Sequence, residues 1–135
     1  VTSVEMSDDG RQLLTSSKDN SHRLWDMRML RPLQRFKGHQ NTSKNFIRCT
    51  FAHPSLIVSG SEDGLVYMWG QESSLALQTL KGHGTDSHPA AATVGGRKQV
   101  VVYSAAWNKV QGLLASCADD GTVRLWDWTP PHDAP

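Results

Sequence analysis

Residues 56–70 read LIVSGSEDGLVYMWG. Two short runs, LIVS and LVYMW, are rich in β-branched, aromatic and large apolar residues, which favour strands. Between them lies Ser-Glu-Asp-Gly, and Asp63–Gly64 suits a tight turn because glycine tolerates positive φ and Asp bonds its own backbone. The stretch therefore predicts two antiparallel strands joined by a short turn. The same pattern occurs at residues 13–26, LLTSSKDNSHRLWD, and at 113–127, LLASCADDGTVRLWD, with Asp120–Gly121 at the third turn and Asn20 able to fill the same role at the first. A Gly-His pair precedes two of the copies, as KGHQ at 37–40 and KGHG at 81–84. Trp25 and Trp69, Asp19 and Asp63, and His39 and His83 are each 44 residues apart. Trp69 and Trp126 are 57 apart, so the third unit carries about 13 extra residues.

Outward from these turns, β-rich runs and turn residues alternate along the chain. Strands are predicted over 1–6, 12–16, 21–25 and 33–37, over 46–51, 56–59, 65–69 and 75–80, and over 100–107, 113–116 and 122–126. No segment has a helical period, and the fold class is all-β.

Composition bounds the function. The chain has 135 residues, 38% hydrophobic and 20% charged, the profile of a globular chain. No apolar run approaches the ~18 residues that span a bilayer, so no membrane partner is expected. No charged segment followed by an apolar one opens the chain, and no secretory signal is visible. Lys and Arg number 14 against 13 Asp and Glu, a balance that excludes a generally basic nucleic-acid binder. Residues 18–48 nonetheless hold eight cations against Asp19 and Asp26. Strand alternation spreads them over several faces without an aromatic stacking platform, so a solvated surface is expected. Cys49 and Cys117 lack metal-like spacing, and two cysteines suit a reducing compartment, cytoplasmic or nuclear.

A period near 44 with Gly-His and Trp-Asp landmarks resembles the WD repeat (WD40). The resemblance implies a partial β-propeller of about three four-stranded blades without a closed ring. The blades are expected at 1–37, 38–81 and 82–128, with an inserted loop at 85–99 and a tail at 129–135. Further blades, from the same chain or another, are expected before residue 1. In WD repeats a His, a Ser or Thr, an Asp and a Trp share one hydrogen-bonded network per blade. The matching residues are Thr15, Asp19 and Trp25 without a His, then His39, Ser59, Asp63 and Trp69, then His83, Ser116, Asp120 and Trp126. Burying these groups is tolerable because they satisfy one another. His, Ser and Asp together also suggest a hydrolase, but a nucleophile needs exposure and an oxyanion hole, and one site would suffice. A set recurring in every blade reads as architecture, so no catalytic residue and no enzyme are expected. His22, His53, His88 and His132 are scattered and read as loop or surface residues; no metal site or cofactor is expected.

The implied function is a scaffold or adaptor that binds proteins or peptides through its loops. On one face the candidate contacts are Lys18, Asn20, Gln40, Lys44, Glu62 and Asp119; on the other they are Arg28 and Arg31. Residues 13–28 are also similar to the sixteen-residue box of substrate receptors for cullin-RING ubiquitin ligases. The matching positions are Leu13, Leu14, Thr15, Ser16, Ser17, Asp19, Leu24, Trp25, Asp26 and Arg28. His22 departs from the small apolar residue usual there. That likeness implies that Arg28 meets the damaged-DNA-binding adaptor protein, since a guanidinium can pair with carboxylates or carbonyls in two places at once.

Overall fold

A computed structural model of the chain describes residues 1–42, 45–53, 55–84 and 100–128, and eleven strands form three antiparallel sheets. The first sheet is β1 (Ser3–Met6), β2 (Gln12–Ser17), β3 (Ser21–Asp26) and β4 (Arg31–Phe36), paired in that order. The second is β5 (Cys49–Phe51), β6 (Leu56–Ser59), β7 (Val66–Gly70) and β8 (Gln78–Leu80). The third has three described strands, β9 (Val102–Asn108), β10 (Leu113–Ala118) and β11 (Val123–Asp127). No helix occurs among the described residues. The turns behave as their residues dictate, because Asn20, Gly64 and Gly121 all take positive φ, at 61°, 84° and 80°.

Two strands, β5 and β8, begin three residues later than their composition predicts. Residues 46–48 stay outside β5 because the chain there turns to the third sheet, where Arg48 N–H donates to Tyr103 C=O at 3.0 Å. In 75–80, Ser73 Oγ accepts the Leu75 N–H in a local turn at 3.2 Å, and pairing with β7 starts only at Gln78. β4 instead starts earlier. Pro32 enters it opposite Trp25, where the register shifts, a position at a sheet edge that a proline tolerates.

The second sheet is the middle layer, and this explains its unbroken apolar runs. Along β6, Ile57 points to the first sheet, where it joins Leu14, Leu24, Phe36, Cys49, Tyr67 and Trp69 in one core. Its neighbours Leu56 and Val58 point to the third sheet and join Val66, Met68, Val102, Ala105 and Leu114 in another. A strand covered on both faces has no polar side to alternate with. The outer layers are covered once. Val66 and Met68 are 0% and 3% exposed, whereas their repeat equivalents Val123 and Leu125 on β11 are 71% and 70% exposed. Close approach of the layers depends on Gly60, where an added Cβ would lie 2.1 Å from the Val102 carbonyl oxygen of β9.

Candidate functional site

Loops gather at two ends of the layered sheets, and the buried polar residues decide how firmly each is held. In the third sheet His83, Ser116, Asp120 and Trp126 come together. Trp126 Nε1–H donates to Ser116 Oγ at 2.9 Å, His83 Nε2 lies 2.7 Å from the same oxygen, and His83 Nδ1 lies 3.2 Å from Asp120 Oδ2. Asp120 also accepts the backbone N–H groups of Gly84 and Thr122 and the Thr122 hydroxyl. Burial alone would raise its carboxyl, but the bonds from Thr122, Gly84 and His83 outweigh that and hold it down at about 2. The network bolts the residues around Gly84 to the β10–β11 turn. Ser116 is 2% exposed, with Trp126 and His83 already on its oxygen, which leaves no approach for a substrate carbonyl. Ser116→Ala is expected to leave the Trp126 N–H and His83 Nε2 unpaired and to cost about 2 kcal/mol in urea denaturation of the intact protein.

The first sheet repeats the arrangement without a His. Trp25 Nε1–H donates to Thr15 Oγ1 at 2.9 Å, while Asp19 accepts the Ser21 N–H and hydroxyl, at 3.1 and 2.6 Å.

The second sheet departs from expectation, because His39, Ser59, Asp63 and Trp69 are not hydrogen-bonded to one another. Leu65 stands where Thr122 and Ser21 stand in the other units and offers Asp63 its N–H but no hydroxyl. Tyr67 fills that deficit, and its hydroxyl donates to Asp63 Oδ2 at 2.6 Å. Trp69 donates to the Lys37 carbonyl at 2.9 Å, and Ser59 Oγ donates to the Gly60 and Arg48 carbonyls. His39 lies against His22. His22 is therefore no loop or surface histidine; it is wholly buried on β3.

At the upper end, the candidate contacts divide into anchors and exposed groups. Asn20 is an anchor, with Oδ1 accepting the Asn41 N–H at 2.6 Å while Asn41 Nδ2 donates to Ser17 C=O. Gln40 and Glu62 share a backbone bond, and Gln40 N–H reaches Ser61 Oγ. Asp119 Oδ1 accepts the Val101 N–H, so its carboxylate holds the start of β9. Lys18 is exposed, with Nζ 4.6 Å from the ring centre of Phe46, itself 62% exposed. Lys44 and the 85–99 loop lie outside the described residues, as do the tail from 129, His88 and His132.

At the lower end, a groove of about 520 Å³ is lined by Asp8, Asp9, Phe51, His53, Trp107 and Lys109, among others. Lys109 pairs with Asp8, joining the β9–β10 turn to the β1–β2 turn. The β3–β4 turn also lies at this end. There Asp26 Oδ1 accepts the N–H groups of Arg28 and Met29, and the Met29 and Arg28 bonds hold its carboxyl below the usual range. Arg28 and Arg31 are exposed, and between them Met29 and Leu30 are 57% and 81% exposed. Leu30 has φ of 50°, a left-handed conformation that disfavours a leucine. Sequence reasoning passed over these two residues, though a Met-Leu pair inside a turn was the available signal. It also passed over Phe51 and Trp107, whose meeting depends on how the inner strands converge.

Comparison with known proteins agrees with this geometry. The family model described as "WD domain, G-beta repeat" matches residues 1–26, 30–70 and 90–127. The chain is 34% identical to the WD repeat-containing protein WDS homolog of Arabidopsis thaliana, over 98% of this chain and 23% of that protein. It is 32% identical to the WD repeat-containing protein 26 homolog of the same plant, over 93% of this chain and 19% of the relative. Identity to GID complex subunit 7 of Schizosaccharomyces pombe is 31%, over 93% and 22%. The chain thus spans about a fifth of the length of these curated relatives. The three matched repeats fall on strands of all three sheets: the chain belongs to the WD-repeat family, and its sheets are part of a β-propeller.

Proposed function

We propose that this chain is part of a protein-interaction scaffold and that the β3–β4 turn is one of its contact points. The observation that carries the reading is the exposure of Met29 and Leu30 between two arginines, on a turn whose backbone Asp26 holds in place. An apolar pair on a preorganised turn, flanked by cations, suits an acidic partner segment with apolar side chains, since rigidity lowers the ordering cost of binding. The relative named as a subunit of the GID complex lends support, because membership of a multiprotein complex is the same kind of work. The test is affinity capture with the intact protein and its Met29→Ser/Leu30→Gly double variant. Loss of at least one partner, with unchanged thermal stability, is expected; identical capture by both proteins would overturn the reading.

A second reading is substrate reception for a cullin-RING ubiquitin ligase. It is favoured by the Trp25-Asp26-x-Arg28 ending and by the exposed position of Arg28. Arg28→Ala is expected to abolish capture of the ligase's adaptor protein while the fold is kept. Equal capture by the variant would remove this reading and leave the scaffold reading standing.

A further inference from the structure

His22 occupies the position that Val66 fills in the second unit and Val123 in the third, counted from Trp25, Trp69 and Trp126. It sits in the joint between the first two sheets, and its ring lies parallel to that of His39, centroids 4.0 Å apart and planes 8° apart. Trp69 stands edge-on to both rings, at 5.7 and 5.4 Å, and Tyr67 is 6.4 Å from His39. None of the four imidazole nitrogens has a hydrogen-bond partner among the described residues. Stacked rings do not aim their nitrogens at each other or at one shared metal ion. As neutral imidazoles they act as flat core residues, but a proton on either would place an unpaired charge in a space shut off from water.

We propose that His22 and His39 make the joint between the first and second sheets acid-labile, so that protonation of either ring parts these sheets and releases loop 40–42. The loop is coupled to the joint through Asn41, two residues from His39, whose bonds to Asn20 and Ser17 tie it to the first sheet.

The surroundings do little to offset such a charge. The acidic groups acting on His39 are Asp63, Asp19 and Glu62 at the turns. Asp63 is already engaged by Tyr67 and Leu65, and Asp19 by Ser21 and Arg23. On β5, burial pushes the Cys49 thiol up to about 12; on β7, burial and then Asp63 raise the Tyr67 hydroxyl, so both stay protonated. The cations on the flanking strands are Arg23 on β3 and Arg35 opposite it on β4, and neither brings a negative charge to the rings. Burial holds His39 down to about 4, and burial followed by repulsion from His39 holds His22 well below the ordinary 6.5. When the sheets part, both rings return to 6.5. Above that value both forms are neutral and pH has no effect. Between 6.5 and about 4 the parted form binds more protons, so the closed form loses stability as pH falls.

The test is amide hydrogen exchange on the intact protein at pH 7.5 and pH 5, corrected for the intrinsic rate at each pH. The bonds from Cys49 N–H to Ser16 Oγ and from Asn41 N–H to Asn20 cross the first joint, while those from Arg48 and Val102 N–H cross the second. Protection at Cys49 and Asn41 is expected to fall roughly thirtyfold or more at pH 5, from His39 alone. Arg48 and Val102 keep theirs. His22→Val, which restores the residue type of the other units, is expected to lose less protection than the parent. Equal protection at both pH values in the parent, an equal loss at both joints, or an undiminished loss in His22→Val would each overturn the proposal. The parent's own exchange decides the matter should the variant fold poorly.

Discussion

Trp69→Ala is expected to destabilise the intact protein by about 4 kcal/mol, the largest loss of any single truncation here. Trp69 is fully buried in the middle layer, packed against Phe36 at 5.8 Å and stacked near Tyr67 at 5.7 Å, with both histidines at its edge. Removing the indole empties a site walled by two sheets, and it also strips the Lys37 carbonyl of its donor. The core between the first and second sheets would lose its largest side chain. Urea denaturation measures the effect directly. A loss near 1 kcal/mol would mean that Trp69 does not hold these two sheets together.

Gly60→Ala follows at about 3 kcal/mol, at the upper end for an overpacked site. The added carbon would meet the Val102 carbonyl oxygen at 2.1 Å and its carbon at 2.6 Å. Both are backbone atoms, so no rotamer change relieves the clash and β9 must withdraw. The Val102 N–H bond to Ser61 C=O, 2.9 Å long, would stretch with it. Gly70→Ala is the control, because nothing lies within 4 Å of a carbon added there and its φ is ordinary. Near-parental stability is expected for Gly70→Ala, and equal effects at the two glycines would contradict the close approach of the second and third sheets.

These two positions differ in how far they could be read from residues alone. Trp69 belongs to a landmark repeated at Trp25 and Trp126, so its strand followed from the period, while its full burial comes from the middle layer. The strands were readable for the same reason, since the β1–β2, β2–β3, β6–β7, β9–β10 and β10–β11 turns carry Gly or Asn where positive φ is needed. The clash at Gly60 depends on the distance between two sheets, which no local pattern encodes. The polar network was readable in part. The structure brings Ser116, Asp120, Trp126 and His83 together, but at the same spacing His39, Ser59, Asp63 and Trp69 share no hydrogen bond. There the outcome turned on Leu65, which lacks a hydroxyl, on Tyr67, which supplies one, and on His22 from the neighbouring unit. The first two lie within the repeat; the third is a contact across units, beyond the reach of a spacing rule.

Cys49 lies in the same joint, 4% exposed, its sulfur 3.0 Å from Ser16 Oγ. With the thiol pushed up to about 12 it forms almost no thiolate at neutral pH, and alkylating reagents cannot reach it while the layers stay together. Iodoacetamide consumption at this one sulfur therefore counts openings, and the molecule carries its own chemical clock for the event that exposes it.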